Sequence, residues 1–276
     1  MKGVTLIELV VTIVVLGIMA GVAATILVPA YEAYFASQRR AQLADVADTA
    51  LRRIVRDVRR SLPNSPRVDG TNQYLEFLLT KNGGRYRAMN DDDIPPTTED
   101  PLDFTAPDNR FDTLGTLPAG AGEQVQAGDF VVIHNLGIPG ANAYDVAVAN
   151  PNIAQISVFG AGAIAGDNRI TLTAATQFPL ESPGRRFFVV EGPVSYACIG
   201  GQLRRWSGYA IQAAQPTARP AGATEAILAD SLSACQFTYS NNLSQVSRGL
   251  ISLRLAITRS NETVVLFHQA HVNNVP

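Results

Sequence analysis

Glu8 is a carboxylate at the start of a long apolar segment. Residues Leu9 to Tyr31 are 23 consecutive uncharged positions, bracketed by Glu8 and Glu32. As a helix this segment is about 35 Å long, enough to cross a hydrocarbon core of about 30 Å. A carboxylate at such a boundary is costly unless it meets a cation, so Glu8 is a candidate partner for a positive group. The alternative is a Glu8 that lipid headgroups solvate.

The apolar segment has a second interpretation, as a secretory signal peptide. Signal peptides carry an apolar region of about 7–15 residues after a positive stretch. Here the run is longer, and only Lys2 and the terminal amine precede it. A membrane-spanning helix is therefore favoured, and Pro29, which lacks a backbone donor, predicts a kink near its end.

The string Gly3-Val4-Thr5-Leu6-Ile7-Glu8-Leu9-Val10 resembles the processing signature of type IV prepilins and of the pseudopilins of type II secretion. In that family a dedicated peptidase cuts after the glycine and methylates the new amino terminus. The resemblance implies that Gly3 is the cleavage residue, that Val4 becomes the methylated terminus, and that Glu8 neutralises the terminal amine of a neighbouring subunit. Val4 stands where family members usually carry Phe or Met.

Three further strings extend the resemblance: Val194 to Tyr196, Trp206 to Tyr209, and the closing His268 to Pro276. They look like the minor pilins of mannose-sensitive haemagglutinin pilus biogenesis. The chain is also longer than most major pilins. This resemblance implies a minor pilin that helps to initiate or cap a type IV pilus. The alternatives are a minor pseudopilin of type II secretion and a pilus-tip adhesin subunit.

The resemblance also implies partners and a location. The expected partners are other minor pilins, the major pilin, the prepilin peptidase, the inner-membrane assembly platform and the lipid bilayer. We expect a single-pass protein of the bacterial inner membrane, with its C-terminal domain in the periplasm and, after assembly, at the pilus tip.

Catalytic and metal-binding patterns are weak in the sequence. His268 and His271 are three positions apart on a predicted strand, so they face opposite sides and cannot bind one metal ion together. The third histidine is His134, and no G-x-S-x-G nucleophile turn occurs. We therefore expect no enzyme activity, no metal and no cofactor.

The segment Asn90 to Leu117 is rich in acidic residues and proline. Its oxygen ligands could hold calcium, but the spacing of the calcium-loop motif is absent, so a solvated loop is favoured. Its acidic members are Asp91, Asp92, Asp93, Glu99, Asp100, Asp103, Asp108 and Asp112.

Cys198 and Cys235 are the only cysteines, and both follow the apolar segment. An even number of cysteines in an oxidising compartment predicts a disulfide, and two buried free thiols are the alternative. Closing this loop should stabilise the fold by roughly 4 kcal/mol in the chain-entropy model.

The composition limits the remaining classes of function. The formal charge is −2 and the pI is about 5.9, so no overall positive field favours nucleic acid as a partner. With 46% hydrophobic residues, 22 glycines and 16 prolines, the chain is typical of a β-rich folded body.

The elements that position these residues follow from periodicity. Residues 37–62 carry an apolar stripe at intervals of three and four, which predicts an amphipathic continuation of the helix that ends before Pro63. We divide the chain into a leader (1–3), a transmembrane helix (4–36), this continuation (37–62) and a β-rich periplasmic pilin domain (63–276). Its short strands predict an α+β fold, with a long N-terminal helix packed on an antiparallel sheet. The predicted strands are 74–80, 85–89, 130–134, 153–159, 169–173, 186–191, 194–199, 202–209, 235–240, 250–258 and 263–272.

Overall fold

The computed structural model describes residues 3–89, 99–240 and 248–276. One long helix packs against a curled antiparallel sheet, so the predicted α+β fold is confirmed. Helix α1 spans Leu6–Arg59, 54 residues, and is about 80 Å long. It ends slightly before the predicted residue 62, where the backbone N–H of Arg60 donates to the Asp57 carbonyl and that of Ser61 to the Val58 carbonyl, each at 3.0 Å. Pro63 follows and prevents further helix.

Only the second part of α1 is buried. The apolar stripe of the continuation faces the sheets, whereas every described residue before Leu43 is at least partly exposed. The buried helix residues are Leu43, Ala47, Ala50, Leu51, Ile54, Asp57 and Val58.

Twelve strands follow the helix within the described ranges. They are β1 (Arg67–Val68), β2 (Tyr74–Arg85), β3 (Asp108–Asp112), β4 (Phe130–Ile133), β5 (Ile153–Ala161), β6 (Asn168–Thr176), β7 (Arg186–Ile199), β8 (Gln202–Ser207), β9 (Thr224–Ala229), β10 (Leu232–Ser240), β11 (Arg248–Arg259) and β12 (Glu262–Asn273). Nine form one sheet in the order β1-β2-β7-β4-β5-β6-β3, with β8 and β9 branching from β7. The other three form a sheet in the order β10-β11-β12.

Strand β7 is the centre of the larger sheet. It pairs with β2 along one side, and on the other side with β4 through Phe187–Val190 and with β8 through Val194–Ile199. Pro193 lies between the part of β7 that pairs with β4 and the part that pairs with β8. Its missing N–H therefore removes no hydrogen bond to either of these strands. The sheet therefore divides into a half near the helix and a half beyond it.

Each half has its own core. The first core combines α1 with residues of both sheets, among them Phe77, Tyr196 and Leu253. The second core lies between β3, β4, β5, β6 and the start of β7, around Phe111 and Phe187, and contains no helix residue. The helix thus supports one half of the body directly, while the other half rests on strand pairing and its own core.

Several strand predictions need correction. Predicted strands 186–191 and 194–199 are one strand, β7, because the chain stays extended through Gly192 and Pro193. The predicted strand 85–89 is not separate, since Arg85 ends β2 and Tyr86 makes only an isolated bridge to Thr113. Strands β1, β3 and β9 were not predicted, and β3 lies inside the segment expected to be a loop.

Candidate anchoring and assembly surface

The first half of α1 is an exposed apolar rod. Its large apolar side chains from Leu6 to Phe35 are mostly half to four-fifths exposed; Leu16, for example, is 64% exposed. Within the described chain, one helix has the length and hydropathy to cross a membrane, and none of its most apolar window is buried. This arrangement fits a single-pass membrane protein. Exposed apolar surface of this extent is unfavourable in water and favourable in lipid.

Polar groups within the rod are satisfied by the helix itself. The hydroxyl of Thr12 donates to the Leu9 carbonyl and that of Thr25 to the Val22 carbonyl, each at 2.8 Å. α1 continues through Pro29, whose missing N–H leaves the Thr25 carbonyl without its intrahelical donor. The kink at Pro29 stays a prediction. The rod therefore presents few unsatisfied groups to lipid.

Glu8 lies in the first turn of α1. The Thr5 hydroxyl accepts from the Glu8 backbone N–H at 3.4 Å, which is half of a capping box with the sequence pattern T-x-x-E. A carboxylate here also complements the positive end of the helix dipole. The Glu8 side chain is exposed and makes no ion pair with another described residue. The sequence analysis missed this local capping role, which the T-x-x-E spacing could have shown.

Gly3 and Val4 precede the helix as an open segment. A side chain at Gly3 would meet nothing within 4 Å, and Val4 is 71% exposed. The fold of this chain therefore does not require glycine at position 3. If glycine is needed there, the need comes from a molecule that acts on this segment.

Asp57 joins α1 to the sheet. It is 4% exposed, and its Oδ2 accepts from the Tyr196 hydroxyl at 2.8 Å and from Arg205 Nε at 2.9 Å. Arg53 lies 3.5 Å from the other oxygen. Burial, and then the Asp57 charge, raise the pKa of Tyr196, so this hydroxyl stays a donor. These bonds fix the rotation of the helix against β7 and β8.

A second buried carboxylate, Glu76, holds a loop to the sheet. Its oxygens accept from Arg67 Nη2 at 2.7 Å and from the Tyr209 hydroxyl at 2.9 Å. Arg67 also donates to the Gln212 carbonyl at 2.9 Å and lies over the Tyr144 ring at 3.6 Å. Burial raises the pKa of Glu76 despite the nearby guanidinium. Both partners of Glu76, Arg67 and Tyr209, are part of the folded body. We therefore assign Glu76 a role in stabilising the fold.

The histidines lie apart from one another. His268 faces the helix with Nε2 3.7 Å from Asp48 Oδ1, while His271 is exposed on the opposite face of β12. His134 is half-buried, and burial lowers its pKa. The described part of the chain holds no cluster of three His, Cys, Asp or Glu side chains arranged for a metal ion.

Several carboxylates of the acidic segment pair with arginines, while Asp103 and Asp108 accept hydrogen bonds from nearby backbone N–H groups. Arg169 Nε and Nη2 donate to the two oxygens of Asp112 at 2.6 and 2.8 Å. Arg87 lies between Glu99 and Asp167, and Arg110 pairs with Asp100. Glu99, Asp100 and Asp112 are therefore held by ion pairs with three different arginines. Asp91, Asp92 and Asp93, named above as candidate ligands, lie outside the described residues.

Cys198 and Cys235 form the disulfide that the sequence predicts, with Cα atoms 6.1 Å apart. The bond links β7 of the larger sheet to β10 of the smaller one. It therefore ties together the two sheets between which the buried part of α1 is packed.

Comparison with known proteins finds no match: no family model, curated protein or solved structure is similar to this chain at a significant level.

Proposed function

We propose that this chain is a minor pilin, an anchored subunit that helps to initiate or cap a type IV pilus of the mannose-sensitive haemagglutinin type. The observation that carries the proposal is the division of α1 at about residue 42. Its exposed apolar half bears a lone carboxylate in the first turn, and its other half is held inside a β-rich body. Such a shape leaves one end of the helix free to leave a membrane and pack among neighbouring helices.

Glu8 is the group that would guide this transfer. An ion pair between Glu8 and the terminal amine of a neighbouring subunit would remove two desolvation costs together in a low-dielectric helix bundle. In a filament each subunit would also offer its own terminal amine to a neighbour's carboxylate, and in this chain cleavage after Gly3 by a prepilin peptidase would supply that amine at Val4. The body would then lie in the periplasm, where an oxidising environment suits the Cys198–Cys235 bond.

A minor pseudopilin of type II secretion is the second candidate, because it would use the same helix and the same Glu8. The two functions differ in the neighbours that co-assemble with the chain. Cross-linking of the full-length protein in the native membrane, followed by identification of the attached subunits, separates them.

Replacement of Glu8 tests the proposal most simply. We expect Glu8→Ala to leave membrane insertion and the folded body unchanged and to reduce co-assembly with other subunits by at least about tenfold, the effect of losing roughly 1.4 kcal/mol. Glu32→Ala is the matched control, because it removes the carboxylate at the opposite end of the same apolar run. Co-assembly is measured by co-purification after cross-linking. Equal co-assembly of Glu8→Ala and the wild type would exclude the proposed pairing.

A further inference from the structure

A basic cleft lies beside the C-terminal end of α1. It has a volume of about 710 Å³ and forms where the end of α1, the end of β2, the start of β7 and the last residues of the chain meet. Four basic residues and one acidic residue line it: Arg60, Lys81, Arg85, Arg186 and Glu123. The volume is within the range of small-molecule sites, which is about 300–1,000 Å³.

Arg85 and Arg186 are directly opposite each other on β2 and β7. Like charges in this position repel and destabilise a sheet. Both side chains are exposed, and neither makes an ion pair or a side-chain hydrogen bond with any described residue. By contrast, most other arginines of the body bind carboxylates, as Arg67, Arg169 and Arg205 do. Within the described residues, the positive charge of the pair is therefore not neutralised by an ion pair, and Glu123 is the one acidic side chain that lines the same cleft.

The other two basic groups of the cleft are held in place. Lys81 pairs with Asp129 at 3.0 Å, so it adds little free charge. Arg60 Nη2 donates to the Thr80 carbonyl at 3.0 Å, which keeps its guanidinium at the rim. Asn82 Nδ2 donates to the carbonyls of Pro118 and Glu123 at 2.8 and 2.7 Å, which fixes the loop that forms one wall. The open cleft around the arginine pair thus has walls that are held by these bonds.

We propose that this cleft binds a soluble ligand group that carries carboxylate or phosphate, with Arg85 and Arg186 as the binding residues. The planar guanidinium presents its N–H donors in a fork that matches both oxyanions, and two such groups can hold one ligand from two sides. Bound anion would also relieve the repulsion across β2 and β7. Membrane headgroups are an unsuitable source, because the helix places Arg60 about 40 Å beyond Tyr31. The site does not depend on the pilin proposal.

Calorimetric titration of the full-length protein in an uncharged detergent tests the site. The probes are citrate for carboxylate and pyrophosphate for phosphate. We expect saturable binding of at least one probe, and the tighter one identifies the preferred oxyanion. Arg85→Gln/Arg186→Gln should weaken binding at least about tenfold, since charged hydrogen bonds are lost. Arg56→Gln/Arg254→Gln removes the same charge outside the cleft and should stay within about twofold of the wild type.

Two measurements keep the test decisive. Gly83 and Gly84 lie at the end of β2, between Lys81 and Arg85. Their amide chemical shifts should change as the probe is added, and the change should give the same dissociation constant as calorimetry. Arg85→Lys/Arg186→Lys keeps the charge but loses the fork, so its affinity should lie between those of the wild type and the glutamine variant. Trp206 fluorescence verifies that each variant is folded. The absence of saturable binding to both probes, or equal weakening in the control variant, would overturn the proposal.

Discussion

The two halves of α1 have one backbone conformation and opposite surroundings. From Leu9 to Tyr31 the helix carries no charge and is exposed on all sides, whereas from Leu43 onward it is amphipathic and its apolar stripe is buried against both sheets. A helix that is apolar all round requires lipid or other helices as its solvent, and an amphipathic one requires a protein core. The contrast fits one continuous helix that spans a membrane with its first part and supports a folded body with its second.

The largest effect that separates the two halves should come from Asp57. We expect Asp57→Ala to lower the free energy of unfolding of the body by about 3–5 kcal/mol, because the largely buried Arg205 loses its carboxylate partner and the buried Tyr196 hydroxyl its acceptor. Denaturant unfolding of the full chain in detergent, followed by the fluorescence of Trp206, measures this loss. Arg53→Ala is the control, since its exposed pairing with Asp57 should be worth less than about 1 kcal/mol. Similar losses in both variants would show that Asp57 does not join helix and sheet.

Shortening one leucine side chain in each part of the helix sharpens the comparison. Leu51 is fully buried and Leu16 is 64% exposed. Leu51→Ala should destabilise the body by about 2–4 kcal/mol through lost apolar contact and a residual cavity. Leu16→Ala should leave body stability unchanged within about 0.5 kcal/mol, because its side chain contacts only solvent or lipid. If both variants shifted the unfolding midpoint equally, the exposed half would have to be part of the folded core.

The disulfide should have an effect no larger than that of Leu51→Ala, because both sheets keep their own contacts after reduction. Reduction of Cys198–Cys235 should lower the free energy of unfolding by about 2–4 kcal/mol, with the chain-entropy value of roughly 4 kcal/mol as the upper end, without loss of the fold. Thermal unfolding with and without reductant measures the shift, with Cys198→Ser/Cys235→Ser as the matched variant. An unchanged midpoint would mean that the two sheets are held together by the core alone.

The sequence predicted the elements whose signal is local. The apolar run after Glu8 and the alternation from Leu250 to Thr258 depend on neighbouring residues, and the structure contains the helix and strand β11 at those places. Strand β9 was missed because Thr224–Ala229 contains too little alternation to be read without its partner β8. The sequence analysis divided strand β7 in two because glycine and proline, here Gly192 and Pro193, usually end a strand. The strand continues through them because they lie between the segments that pair with β4 and with β8.

The functional residues show the same limit. Gly3, Val4 and Glu8 could be named from one short string. The link from Asp57 to Arg205 spans 148 positions, and the pairing of Arg85 with Arg186 depends on the register of two distant strands. No periodicity within either segment contains that information, because it arises from the order of strands in the sheet.

Identification of the mature amino terminus tests most directly whether the exposed part of α1 is a membrane anchor that is cleaved after Gly3. Mass spectrometry of the protein isolated from its native membrane should find a chain that begins at Val4 and carries one added methyl group on the terminal amine. Replacement of Gly3 by a bulky residue should leave residues 1–3 attached, although the fold itself has room for that side chain. A mature chain that begins beyond Ala30 would contradict the account, since the apolar half of the helix would then be a signal peptide that is removed.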